Sequence, residues 1–260
     1  MATALVTGAS SGLGEEFAWQ LATAGHDLVV TARSGDRLSE LADVVASATG
    51  VSVEVLVADL AAAHGREAVA ARLADAGTSG STQPVSLLVN NAGFGTGTDF
   101  VDTPWEEEAA MHDVLVTAPL RLTHAVLPGM IERGHGAVLN VSSIAAHLSN
   151  STYAAHKRWI VEFTESLAGQ LRGTGVTVTA VLPGLTRTEF HDRPALQHHR
   201  EDSPDFMWLD AEQVVSAALT GLRRGSVSVT PSVRYTVAGA LAQLAPASVT
   251  RGFRSMRTQR

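Results

Sequence analysis

A chain of 260 residues, 45% apolar and 17% charged, holds enough material for one large α/β domain with a sizeable core. It has no cysteine, which excludes disulfides and thiolate metal sites. It also has no run approaching the ~18 uninterrupted apolar residues of a membrane span. Its net charge of −7 is unevenly spread: all 26 acids lie at or before Glu212, whereas residues 213–260 carry seven arginines and no acid. The basic tail is expected to be solvated or packed on an acidic partner subunit rather than bound to nucleic acid or an anionic membrane surface. The opening MATALVTGAS enters a strand pattern at once, without the basic and then apolar order of a signal peptide, so a cytoplasmic location is expected.

In chain order, strands are predicted at 2–7, 27–32, 51–57, 85–90, 136–142, 176–182 and 226–230. Helices are predicted at 12–24, 36–48, 62–76, 104–132, 152–172 and 210–223. Several strands are apolar nearly throughout, the pattern of parallel strands covered on both faces. The alternation implies a Rossmann-type doubly wound parallel sheet of about seven strands, flanked by helices on both faces within one domain. Residues 185–208 break the rhythm: they are polar, interrupted by two prolines, and follow a strand end, where an insertion becomes a lid over the ligand crevice. Residues 232–260 read as a mildly amphipathic tail with two short helices separated near Pro246.

The first strand runs into Thr7, Gly8, Ala9, Ser10, Ser11, Gly12, Leu13 and Gly14, and then into a helix. Glycines at a βα turn let the backbone approach a pyrophosphate, and the helix N-terminus offers amide groups to it. The second strand ends before Arg33, and no acid appears until Asp36. An acid here suits the ribose hydroxyls of NAD(H), and an arginine suits a 2′-phosphate, so NADP(H) is the expected cofactor and NAD(H) the alternative. Asp59 and Leu60 follow the third strand, and Asn90, Asn91, Ala92 and Gly93 the fourth, at strand ends that outline one crevice.

Tyr153 and Lys157 are four apart, so on a helix they share a face. Lys157 is the only lysine in the chain, against 18 arginines. Lysine titrates when its surroundings change, and arginine does not. An ammonium beside Tyr153, joined by the charge of a bound nicotinamide, is expected to lower the tyrosine pKa toward the range in which general acid–base catalysis works.

The ordered set TGASSGLG at 7–14, Asp59, NNAG at 90–93, a serine before YAAHK at 153–157 and PGLTRT at 183–188 resembles the short-chain dehydrogenase/reductase family over essentially the whole chain. The resemblance implies that Tyr153 is the acid/base, that Lys157 tunes it and holds the nicotinamide ribose, and that a serine positions a substrate carbonyl. Ser143 is preferred for that role and Ser142 is kept open. It further implies Asp59 near the adenine, Asn91 near the adenosine ribose, and Pro183, Gly184, Thr186 and Thr188 along the nicotinamide carboxamide. A small carbonyl or alcohol substrate and a homodimer or homotetramer follow from the same source. Two departures stand out. Leu115 occupies the place where the family usually carries an asparagine that completes the proton relay, and the stretch from Ser143 to Tyr153 is a few residues short. Leu115 motivates an alternative, a dinucleotide-binding sensor or scaffold with weak or lost catalysis. His191, His198 and His199 match no compact ligand spacing, so no metal is expected. Phe190, Phe206, Met207 and Trp208 give the expected lid an apolar character.

Overall fold

The computed structural model describes residues 2–77, 83–192 and 204–237, with side chains described up to Phe190 in the second segment. Strand and helix alternate as the sequence pattern predicts. The order is β1 (Thr3–Thr7), α1 (Gly12–Thr23), β2 (Asp27–Ala32), α2 (Gly35–Thr49), β3 (Val53–Val57), α3 (Ala63–Ala74) and β4 (Val85–Asn90). It continues with α4 (Trp105–His112), α5 (Ala118–Arg133), β5 (Gly136–Val141), α6 (Thr152–Gln170) and β6 (Val176–Val181). Two short strands, β7 (Thr186–Arg187) and β8 (Leu209–Asp210), then precede α7 (Ala211–Arg223) and β9 (Ser228–Val229). The main sheet is seven-stranded and runs β3-β2-β1-β4-β5-β6-β9, every recorded pairing being parallel.

Period-two alternation along the strands divides the core between the two faces. Ala4, Val6, Leu28 and Val30 pack with Phe17, Leu38 and Val215 on the α1, α2 and α7 side. Leu5, Val29, Leu88 and Val138 pack with Val69, Leu122 and Leu171 on the α3, α5 and α6 side. β3 departs from the two-sided apolar pattern: as an edge strand it is half-buried, and Val57 is exposed.

The single helix predicted at 104–132 is two helices joined by a π turn, Asp113–Thr117, with Leu115 at its centre. Trp105–Arg133 is long and apolar enough, by length and composition, to cross a membrane. In the fold one face of it packs on the sheet, with Met111, Leu115, Leu122, Val126 and Met130 buried, while Trp105, Leu120 and Ile131 are exposed. The irregular stretch after β6 begins and ends in order, because β7 pairs with β8. The middle of the expected lid, 193–203, and the tail from 238 onward lie outside the described residues; of the two expected tail helices, residues 233–237 are helical.

Candidate active site

The glycine turn is built by contacts between strand ends rather than by its own side chains. Gly8 takes a positive φ of 67° and donates its amide to Thr31 carbonyl at 2.7 Å, a left-handed backbone that favours glycine. The Thr7 hydroxyl accepts from the amides of Asn91 and Ala92 at 2.9 and 3.0 Å. The Asn91 side-chain amide donates to the carbonyls of Thr7 and Gly8 at 2.8 and 3.3 Å, which commits it to bracing the turn. Gly14 has no room for a side chain, since a Cβ there would lie 2.0 Å from the Gly8 carbonyl oxygen. α1 then starts at Gly12 with no side-chain cap from Ser11, leaving first-turn amides for a ligand at the cleft wall.

β2 ends at Ala32 with the exposed Arg33 next, and Asp59 follows β3, its Oδ1 accepting from Ala61 amide at 3.0 Å. These residues open onto a cleft of about 1300 Å3 at the carboxyl ends of the strands, where open α/β sheets bind ligands. Gly8, Ser10, Ser11, Gly12, Leu13, Arg33, Asp59, Leu60, Asn91, Ala92 and Gly93 line its near half. Ser143, Tyr153, Lys157, Pro183, Gly184, Thr186 and Thr188 line the rest. Gly14 alone among the predicted site residues is not at the cleft wall; it serves the packing of α1 on the glycine turn.

The Tyr153 end depends on α6. Ser151 caps that helix, its Oγ accepting from Ala154 amide at 3.1 Å, and this places Tyr153 in the first turn and Lys157 one turn on. The Ser143 hydroxyl accepts from Ala145 amide at 3.1 Å and shares a hydrogen bond with the Tyr153 hydroxyl. Ser142 points elsewhere: its buried hydroxyl donates to the Lys157 carbonyl at 2.7 Å. Both serines line the cleft, Ser143 beside the tyrosine hydroxyl and Ser142 against the Lys157 main chain.

Lys157 is buried and donates from Nζ to the Val141 carbonyl at 2.7 Å. Burial of the ammonium lowers its pKa to about 8. Its Nζ stands 5.7 Å from the Tyr153 ring centroid. The sequence expectation for the tyrosine concerns the site with a nicotinamide bound; the protein alone shows the starting point. Burial pushes its pKa up to about 12, and the Ser143 hydrogen bond opposes that only in part. In the protein alone, then, the phenol is held protonated.

Leu115 packs with Met111 and Val116 against Phe94, Tyr153 and Trp159, so the expected amide position is an apolar wall beside the tyrosine. Phe190, near the start of the expected lid, approaches the Tyr153 ring with centroids 6.1 Å apart. His156 is turned away from the cleft and meets His112 at 3.2 Å, one helical turn from a hydrogen bond between Thr152 and Glu108. His198 and His199, and the side chain of His191, lie outside the described residues.

Two features were invisible to sequence reasoning. Asn90 and Asn140, in register on β4 and β5, hydrogen-bond at 2.9 Å, and Asn140 continues to Thr164 of α6 at 2.9 Å. The signal available was an amide near the carboxyl end of each largely apolar strand. Tyr235, the second tyrosine, accepts from the Leu185 amide at 3.1 Å and donates to the Met207 carbonyl at 2.7 Å. Its ring also fills the space beside Gly184, so the start of the tail fixes the loop that lines the cleft.

Comparison with known proteins agrees with this architecture. The family pattern described as short chain dehydrogenase matches residues 2–197. An uncharacterized oxidoreductase from Myxococcus xanthus is 40% identical over 191 residues, 72% of this chain and 73% of the relative. A short-chain dehydrogenase from Sphingobium yanoikuyae, solved in complex with NADPH, superimposes with a TM-score of 0.83 at 32% identity, covering 100% of this chain and 97% of the other. The bulky-bulky ketone specific alcohol dehydrogenase from Comamonas testosteroni gives a TM-score of 0.80 at 30% identity, covering 100% and 96%. With a family pattern spanning three quarters of the chain and relatives alike in sequence and fold, the chain belongs to the short-chain dehydrogenase family, oxidoreductases acting on alcohol and carbonyl groups.

Proposed function

We propose that this protein interconverts a carbonyl and an alcohol with NADP(H), using Ser143, Tyr153 and Lys157. The observation that carries the proposal is the convergence of these three side chains on one wall of the cleft whose other end is the glycine turn. The residues present fit a dinucleotide. The buried Lys157 ammonium has three donors and spends one on Val141, leaving two for ribose hydroxyls. Arg33 has no hydrogen bond or ion pair among the described residues and lines the cleft beside Ser34, as a 2′-phosphate anchor would. The resemblance to a structure solved with NADPH supports the same choice.

The nicotinamide, when bound, supplies or takes the hydride. The chain does the rest. Ser143 holds the substrate oxygen, and Tyr153 gives its hydroxyl proton to that oxygen in reduction or takes it back in oxidation. Lys157 orients the ribose, and its charge stabilises the phenolate. Phe94, Leu115 and Phe190 around the tyrosine favour an apolar or bulky substrate. The whole chain acts as one dinucleotide-binding unit with 185–208 as its lid. It assembles as a homodimer or homotetramer through α5 and α6, which expose Leu120 and Ile131 and carry the stacked Trp159–Phe163 pair.

The test is NADPH oxidation against a panel of aldehydes and ketones, repeated with NADH. Tyr153→Phe is expected to lower turnover about 10³-fold while NADPH affinity stays within about threefold. Arg33→Gln should weaken NADPH by about tenfold or more and leave NADH nearly unchanged. NADPH binding without turnover of any carbonyl would favour the sensor reading that Leu115 motivates.

A further inference from the structure

At the Arg33 end of the cleft, two lining residues form an exposed ion pair. Arg37, in the first turn of α2, meets Glu189, just beyond β7, with Nη1 and Nη2 at 2.9 and 2.8 Å from its two carboxylate oxygens. The partners are 152 residues apart, and each side chain is 52% exposed. Both line the cleft together with Ser11, Arg33 and Ser34. Thr188, next to Glu189, lies against the glycine turn, since a Cβ on Gly12 would be 3.1 Å from its Cβ. The pair thus links the stretch after β7 to the start of α2, beside the glycine turn.

The charges around it are unbalanced for an incoming anion. Glu15 and Glu40 also act on Arg37, and Arg37 holds the Glu189 carboxyl below the usual carboxylate range. The Glu15 carboxyl is pushed up, first by its burial and next by Glu189. A phosphate arriving at Arg33 is repelled by Glu189 and attracted by Arg37, and one movement answers both forces. The exposed pair is weak enough to break. A phosphate with about two charges is the stronger bidentate partner for a guanidinium. α2 adds to the attraction, because Ser34 gives it no side-chain cap and its first amides are open to an anion.

We infer that Arg37 is a specificity-determining residue whose guanidinium exchanges Glu189 for the 2′-phosphate of NADP(H), so that a dinucleotide carrying that phosphate displaces the Glu189 contact. This rests on the NADP(H) reading above. A ligand shifts such an equilibrium only by its differential affinity for the two states, and the 2′-phosphate supplies that difference.

Calorimetric titration of the full chain with adenosine 2′,5′-bisphosphate and with 5′-AMP tests the exchange. Arg37→Gln should weaken the bisphosphate about tenfold and leave AMP within about twofold. Glu189→Gln should tighten the bisphosphate about three- to fivefold, and this gain should vanish in the Arg37→Gln background. Equal effects on both nucleotides, or a Glu189→Gln gain that survives without Arg37, would overturn the inference. A wild-type protein with no preference for the bisphosphate removes the NADP(H) reading itself. A preference abolished by Arg33→Gln and untouched by Arg37→Gln removes the exchange alone.

Discussion

At the glycine-turn end of the cleft, polar side chains are spent on the backbone. Asn91 is committed to Thr7 and Gly8, and Thr7 to Asn91 and Ala92. At the Tyr153 end the reverse holds: Ser143, Tyr153 and Lys157 keep hydrogen-bonding capacity toward the cleft. On the proposed reading, the first region acts through the shape of its main chain and the second through a few side-chain atoms. Damage to the first should register as lost stability and binding together, and damage to the second as lost turnover in a folded protein.

The largest effect is expected at Gly14. Gly14→Ala forces a Cβ onto the Gly8 carbonyl and the Asn91 amide, and should cost about 3 kcal/mol of unfolding free energy, read from denaturant curves, together with NADPH affinity. A stable Gly14→Ala protein that still binds NADPH would break the contrast. Leu115→Asn comes next, because it puts an amide into an apolar wall. About 2–4 kcal/mol of stability should be lost, with turnover changing less than about tenfold. A much larger gain in turnover would mean that the leucine limits the proton path.

The two serines sharpen the comparison at adjacent positions. Ser143→Ala is expected to lower turnover about 10²-fold at nearly unchanged stability. Ser142→Ala should instead cost about 1–2 kcal/mol and leave turnover within about tenfold, since it deletes a buried donor to Lys157 carbonyl.

The smallest effect is in pH. Lys157 titrates at about 8 in the fold, below the ordinary lysine value of 10.5, so between these values the unfolded chain holds a proton that the native state has released. Stability of the protein without dinucleotide should therefore rise from pH 8 toward 10, by about 1–2 kcal/mol, and Lys157→Met should flatten that slope. Tyr153 has the opposite sign: its pKa is raised from 10.0 to about 12, so its contribution is lost as pH climbs beyond 10. Urea midpoints across this range check both.

The sequence by itself determined the order of strands and helices, the parallel sheet they form, the position of the glycine turn and the shared face of Tyr153 and Lys157. Each of these follows from local spacing: period two along a strand, 3.6 residues per helical turn, and a glycine where a turn must be tight. Only the tertiary structure distinguishes the surroundings of Ser142 and Ser143, because both hydroxyls bond to α6 but one turn apart, Ser143 at the Tyr153 hydroxyl and Ser142 at the Lys157 carbonyl. It also decided that Asn91 braces the glycine turn 83 residues away, and that Tyr235 fixes the loop at Leu185 from 50 residues away. The π turn at Asp113–Thr117 inside the predicted 104–132 helix left no proline or glycine in those five residues to announce it. Tyr153 shows the division most directly. Its place on the helix is a matter of spacing, but its proton affinity depends on burial, which no local pattern contains.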